Sequence, residues 1–250
     1  VWFRARYSAY KSWWREFEST CTGYYGAGLR KVVPFGPYDL TLLDTPDQER
    51  ACRAKWSKSR SCVWTKPAAT LFERVPHIDA EYDVAVTTRG AYERKGLKWA
   101  ADNLPRGISV LRLGAVDPWF TEAHDRGDLD VTFTGLLTCP EVPEVIKLAR
   151  IGLVCDDGEN DTGPRILPEF LAVDRPVALR DCVQCDQATY ITPMTGRVVT
   201  TASLAQDIIS MLADINSFEP RKYYDEVLSL DRTASKMLER VYATIANHGG

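Results

Sequence analysis

From residue 82 onward, short continuous apolar runs alternate with longer segments of helical period. Tyr82–Thr88, Ile108–Gly114, Asp130–Thr134, Ile151–Cys155 and Pro176–Leu179 read as strands of a buried parallel sheet. Leu97, Ala100, Ala101 and Leu104 recur at helical spacing in the first interval. In the third interval Thr138 and Glu141 form a capping box, with Leu137 and Val142 placed as a hydrophobic staple, and predict a helix to about Arg150. A further helix starts at Pro164, carries Ile166, Leu167, Phe170 and Leu171 on its apolar side, and stops near Asp174. The acidic, Asp- and Gly-bearing residues 115–129 predict an irregular excursion. A second capping box, Ser203 with Gln206, opens a helix whose stripe is Leu204, Ile208, Met211, Leu212 and Ile215; residues 220–247 read as a terminal helical segment. Strand and helix thus alternate over residues 82–216. That predicts an α/β fold with a parallel sheet, right-handed crossovers and a ligand crevice at the strand C-termini.

The first third is patterned differently. Phe3, Tyr7, Tyr10, Trp14 and Phe17 form a stripe of helical spacing over residues 2–18, interleaved with Arg4, Arg6, Lys11 and Arg15. Aromatic and basic side chains in this arrangement suit stacking on rings and neutralising phosphates; the alternative is a core stripe with a wet basic flank. Residues 19–38 read as loop. Asp39–Asp44 is a strand, Thr45-Pro46 opens a helix of about a dozen residues, Ser61–Trp64 is a second short strand, and a Pro-bearing stretch to Pro76 leads onward. Charge follows the same division. Residues 1–66 hold 12 Lys and Arg against 6 Asp and Glu, +6, and residues 67–250 hold 19 against 28, −9, which gives the net −3. A basic first quarter on an acidic remainder suits an anionic partner for the first part, or two solvated faces that balance.

With 250 residues, 45% apolar and 26% charged, the chain has a globular composition and room for one large or two small domains. No apolar run approaches the roughly 20 residues that span a bilayer, and the first residues do not form a basic-then-apolar leader, so the expected location is cytoplasmic. The seven cysteines are scattered, and Cys182 and Cys185 form one CxxC pair without the second pair a zinc ribbon needs. Neither a metal site nor a disulfide framework is expected.

Candidate chemistry concentrates in Asp156–Val177, DDGENDTGPRILPEFLAVDRPV. A strand, a Gly-containing turn and a helix N-terminus present backbone N–H groups and a helix dipole to an anion. Glu169 is either a functional carboxylate or the partner of Arg165 one turn back, a pair contributing about 0.2–0.5 kcal/mol.

The pattern of an acid, seven residues, Glu, Ala and Pro-Val resembles the donor-domain motif of retaining GT-B glycosyltransferases of the glycogen and sucrose synthase type (group 1, GT4-type). Asp161-Thr162-Gly163-Pro164 stands for its first part and Glu169-Phe170-Leu171-Ala172 for its second; Asp161 replaces a usual Glu, and Asp174-Arg175 a usual Gly and its neighbour. The resemblance implies a GT-B-like α/β fold: a reduced N-terminal, acceptor-side region (1–76), a Rossmann-like donor domain with a parallel sheet (77–218), and a helical tail packing back on the first region (219–250). The first region is short for the family, through truncation or native reduction.

By the same resemblance Glu169 holds the donor ribose, and Thr162, Gly163, Pro164 and Arg165 face the diphosphate and sugar, with Asp161 beside the sugar. Gly135 and Leu136 meet the nucleotide base. Arg89 and Lys95 match the family's Arg…Lys-Gly pattern with one extra residue between them, and would offset the charge of the departing diphosphate without a metal; Arg94 is the substitute if the register differs by one. The implied reaction is a metal-independent hexosyl transfer from a nucleotide-sugar, UDP-glucose or another UDP-sugar, to a hydroxyl with retention, and with no cofactor. Arg4, Trp14 and Arg15, with Asp44, are the acceptor-side candidates. A hydroxymethylated base in DNA is one acceptor that suits the basic first quarter. A glycan or small-molecule acceptor, or a non-catalytic GT-B-like binding module, are the alternatives.

Overall fold

The computed structural model describes residues 41–43, 46, 49, 50, 53, 61–63, 65–73, 78–88, 95–157 and 164–246. The expected helix over residues 2–18 lies outside them. Two short strands, β1 (Thr41–Leu43) and β2 (Ser61–Val63), pair in parallel with Leu42 opposite Cys62. A single-turn helix, α1 (Thr70–Glu73), follows.

The remaining strands form one sheet: β3 (Tyr82–Thr87), β4 (Ser109–Leu113), β5 (Asp130–Gly135), β6 (Ala149–Val154), β7 (Val177–Arg180) and β8 (Gly196–Val199). Their order is β5-β4-β3-β6-β7-β8, and every neighbouring pair is parallel. The chain builds outward from β3 through β4 to β5, then returns to the other side of β3 to add β6, β7 and β8. The strand order therefore reverses between β3 and β6, and the crevice opens where those two strands end.

Both sheet faces are covered, as a parallel sheet requires. The connections are α2 (Leu97–Asn103), α3 (Pro118–Asp125), α4 (Glu141–Ile146), α5 (Ile166–Ala172) and α6 (Gln187–Tyr190), and α7 (Leu204–Ala213) follows β8. Strand alternation divides the core. Val84 and Val86 of β3 face Leu97, Phe120, Leu204, Ile208 and Met211 on one side. Ala85 belongs to the opposite core, with Ile146, Leu167, Phe170 and Leu171. Gly152 lets α5 lie close on β6, since a Cβ there would meet the Phe170 ring at 2.4 Å.

Four helix expectations need correction. Residues 115–129 are not an irregular excursion, because they contain α3. Asp117 caps it by accepting from the Phe120 N–H at 3.0 Å, and Pro118 occupies its first turn. The helix expected to reach Arg150 ends at Ile146, because Ala149 already pairs with Tyr82 and opens β6. Ser203 does not cap α7 with its side chain; its hydroxyl instead accepts from the Thr200 N–H at 3.0 Å. At α4 only the reach-back half of the expected box forms, with Glu141 accepting from the Thr138 N–H at 2.7 Å.

The last segment consists of α8 (Pro220–Tyr223), a π-helical turn (Tyr224–Leu228) and α9 (Leu230–Ala246). It lies against residues 68–73. The Tyr224 hydroxyl accepts from the Ala68 N–H at 3.1 Å and donates to Glu73 Oε1 at 2.8 Å, while Arg221 donates to the Glu73 carbonyl at 2.8 Å.

Candidate functional site

The residues at the C-terminal ends of β3 and β6 define the crevice. Past β6 the chain turns through Cys155, Asp156 and Asp157. Lys95 and Gly96 form the turn that enters α2, and they sit on the end of β6. The Lys95 carbonyl accepts from the buried Cys155 thiol at 3.3 Å. Gly96 has φ +68°, and a Cβ on it would lie 1.8 Å from the Cys155 carbonyl oxygen. Only glycine makes that approach in a left-handed conformation. The Lys95 ammonium then pairs with Asp156 Oδ1 at 2.7 Å, its side chain 23% exposed and that of Asp156 13%.

A second cation stands one strand further on. Arg180 ends β7, donates to the Cys155 carbonyl at 3.3 Å, and lies over the Trp99 ring at 4.5 Å from its centroid. Trp99 is held in turn by its indole N–H, which donates to the Thr201 hydroxyl at 2.8 Å. Arg180 was not among the sequence-derived candidates, and Asp156 opened the candidate stretch without a role of its own. The signal for Arg180 was its position as the last residue of an apolar strand in a sheet whose ligand edge is the C-terminal one.

On the other flank of the crevice, α5 carries Glu169 in its first turn, with Pro164 buried and Arg165 exposed just ahead of it. Burial pushes the Glu169 carboxyl up to about 7 from an ordinary value of 4.5, against the opposing pull of the Arg165 charge. Gly135 and Leu136 stand at the end of β5, three strands from β6, about 14 Å away at the usual strand spacing. Gly135 adopts φ +70° with nothing within 4 Å of a Cβ built on it, and Leu136 is 69% exposed. The backbone there faces open space, and Leu136 presents an apolar side chain to it.

Lys95 thus sits on the end of β6, Pro164, Arg165 and Glu169 stand at the start of the helix that follows that strand, and Gly135 and Leu136 lie further along the same sheet edge. Arg89, Arg94, Asp161, Thr162 and Gly163 lie outside the described residues, as do Asp44, Arg4, Trp14 and Arg15 of the expected acceptor side.

The ends of β3 and β4 are fixed by a buried ion pair. Arg112 and Asp117 are 0% exposed and meet at 2.7 Å. The Arg112 guanidinium also donates to the carbonyls of Leu113, Thr88 and Ala115, tying the exits of both strands together. Cys182 and Cys185 are free thiols, and burial pushes Cys185 up to about 12, leaving it protonated. Among the described residues no group of three His, Cys, Asp or Glu side chains is placed to hold a metal, and no helix is long and apolar enough to cross a membrane.

This six-stranded order, with its crevice at the strand reversal, is the Rossmann-like architecture of GT-B glycosyltransferases. Sucrose-phosphate synthase from Thermosynechococcus elongatus superposes with a TM-score of 0.60 and 19% identity, over 84% of this chain and 59% of that one. Anabaena HepE, solved in complex with UDP, superposes with a TM-score of 0.64 and 12% identity, over 82% and 64%. A glycosyltransferase involved in avilamycin A biosynthesis gives a TM-score of 0.63 and 18% identity, over 82% and 63%. At these identities the likeness is one of fold, and the chain spans about three fifths of the length of each of these structures. No family model and no curated protein sequence matches the chain.

Proposed function

We propose that this chain carries the donor site of a glycosyltransferase that moves a sugar from a nucleotide-sugar, a UDP-hexose first among them, to a hydroxyl with retention. The observation that carries the reading is the Lys95 ammonium, fixed beside the crevice at the strand reversal of a fold shared with nucleotide-sugar enzymes. A glycosyl diphosphate leaves as an anion that gains charge in the transition state. A pre-positioned cation offsets that charge without reorganising.

In this reading Lys95, together with Arg89, meets the leaving diphosphate. Glu169 accepts hydrogen bonds from the ribose hydroxyls, and the backbone of Gly135 and Leu136 meets the base. Asp161, Thr162, Gly163, Pro164 and Arg165 surround the donor sugar and phosphates. The glycosidic bond to the diphosphate breaks on the face that receives the acceptor, and the departing phosphate oxygen takes the acceptor proton. Neither a metal nor a cofactor enters the scheme. The basic, aromatic first quarter of the sequence favours an anionic acceptor, and DNA carrying a hydroxymethylated base is the acceptor class we put first.

The test is nucleotide release from UDP-, GDP- and ADP-sugars by wild type and by Lys95→Ala and Glu169→Ala, with EDTA present and absent. Each donor is run with and without duplex DNA containing 5-hydroxymethylpyrimidines, at low and moderate salt. Release that survives EDTA and falls at least tenfold in both variants is the expected result. Stimulation by the DNA, with sugar on the base, establishes that acceptor; stimulation only by glycans or small alcohols refutes it. Wild-type protein that neither binds nor cleaves any donor refutes the enzymatic reading.

A further inference from the structure

Lys95 is the residue to which the proposed donor site assigns the diphosphate, yet its ammonium is already ion-paired with a carboxylate just past the end of a neighbouring strand. Asp156 lies 61 positions further along the chain, and only the strand order brings it there. It follows β6, which pairs directly with β3, and Lys95 lies on the connection that follows β3. The contact belongs to a three-part seat. Cys155 holds the Lys95 carbonyl, Gly96 packs on the Cys155 carbonyl, and Asp156 takes the ammonium. The Asp156 backbone is itself held, its carbonyl accepting from the Cys182 thiol at 3.5 Å. A carboxylate with 13% of its side chain exposed, on a short strand exit anchored on both sides, does not swing clear of an incoming phosphate.

We propose that Asp156 is the positioning residue of the donor cation. It is the resident anion that holds the Lys95 ammonium until the diphosphate competes for it, that stays beside the bound phosphates, and that recaptures the ammonium when nucleotide leaves. The inference rests on the reading of Lys95 given above. Asp156 acts in two opposed ways. It keeps a four-carbon side chain aimed at the crevice, which spares part of the ordering entropy on binding. It also places a negative charge beside the phosphates, which weakens their binding. Charge decides the outcome for binding, because a diphosphate carries more than one negative charge, whereas the ordering term concerns one side chain that stays tethered by its backbone seat. Removing the carboxylate charge should therefore tighten nucleotide binding, the reverse of what loss of a purely structural contact does.

The experiment is calorimetric titration of UDP, the nucleotide held by the Anabaena HepE structure, into wild type, Asp156→Asn, Asp156→Ser, Asp156→Glu, Lys95→Ala and the Lys95→Ala/Asp156→Asn double variant. Thermal melts of each variant confirm folding, and uridine serves as the uncharged control. Asp156→Asn and Asp156→Ser are expected to bind UDP about fivefold more tightly, a partly screened ion-pair effect. Asp156→Glu should stay near wild type, uridine should be indifferent, and the double variant should bind UDP more tightly than Lys95→Ala but more weakly than Asp156→Asn. In turnover, the donor KM and the UDP inhibition constant should fall together in Asp156→Asn while kcat does not rise.

If Lys95→Ala weakens UDP binding but Asp156→Asn and Asp156→Ser leave it unchanged or weaker, the proposal is overturned and the donor-site reading stands. If UDP binding ignores both Lys95 and Asp156, or if UDP does not bind wild type, the assignment of Lys95 fails and this proposal fails with it.

Discussion

Glu169→Gln separates the stability of the fold from the proposed function, because the two should move in opposite directions. Glu169 is partly buried in the first turn of α5, and burial pushes its carboxyl up to about 7. In the unfolded chain it titrates near 4.5. Below the lower value the carboxyl is neutral in both states and costs nothing. Between the two, the unfolded state ionises first, so folding loses stability as pH rises. Above about 7 the full penalty persists. At about 1.4 kcal/mol per tenfold difference in proton affinity, this gap corresponds to roughly 3 kcal/mol at pH 8.

Glutamine has nearly the same shape and no titration. Glu169→Gln should match wild type near pH 4.5 and exceed it progressively to pH 8. A chain of this size gains about 2–4 °C in Tm per kcal/mol, so the difference at pH 8 should be about 5 °C or more. Differential scanning calorimetry at pH 4.5, 6, 7 and 8 measures it. A difference that is constant with pH, or a wild type that is the more stable at pH 8, would falsify the argument that burial dominates this carboxyl. In the proposed donor site the same variant should lose about tenfold in UDP affinity, because a neutral amide is a weaker acceptor than a carboxylate for the ribose hydroxyls. Binding to wild type should strengthen from pH 6 to pH 8 as Glu169 ionises.

Three further substitutions test the frame around the crevice. Gly96→Ala places a Cβ 1.8 Å from the Cys155 carbonyl oxygen at φ +68°, and should cost about 2–4 kcal/mol in urea unfolding. Asp117→Ala leaves the Arg112 guanidinium buried without its carboxylate and uncaps α3, and should cost about 3–5 kcal/mol; a small change in urea midpoint would count against the pair as a structural lock. Tyr224→Phe removes a hydroxyl that joins the π-helical turn to Ala68 and Glu73, with an expected loss of about 1–3 kcal/mol at unchanged m-value.

The sheet was legible because parallel strands are buried on both faces, and their apolar runs stand out at any register. Each expected strand from Tyr82 to Leu179 lies within two residues of an observed one. The helix α3 was missed although Asp117-Pro118 is a start signal, with Trp119, Phe120 and Ala123 behind it. The acidic residues and glycine around them outweighed a short apolar stripe. Arg112 was invisible for a different reason. A charged residue in a strand reads as solvent-facing, and its partner, Asp117, looked like part of a loop. In the candidate site, Glu169, Lys95 and Gly135 were singled out through their resemblance to a motif, and their positions near strand C-termini agree with the strand order. Asp156 and Arg180 were not, because their meaning comes from strand order. Parallel neighbours separated by some 60 residues meet only once β6 is placed beside β3.

In the proposed donor site the end of β6 serves fold and chemistry with the same atoms, and this predicts how variants there should sort. Lys95→Ala removes one mostly buried ion pair, its side chains 23% and 13% exposed, at a cost of about 1–2 kcal/mol, so its Tm should fall by a few degrees. Its UDP affinity should fall at least tenfold, since the lost ammonium is the charge the diphosphate meets. Gly96→Ala acts on the seat instead of the cation. It displaces the turn from the Cys155 carbonyl and moves Lys95 with it, so stability and affinity should fall together. Plotted as the change in Tm against the change in UDP affinity, Lys95→Ala falls on the affinity axis, Tyr224→Phe on the stability axis, and Gly96→Ala on the diagonal. A Lys95→Ala variant on the stability axis would mean that this lysine is a strut of the sheet end and that the donor phosphates are held elsewhere along the crevice.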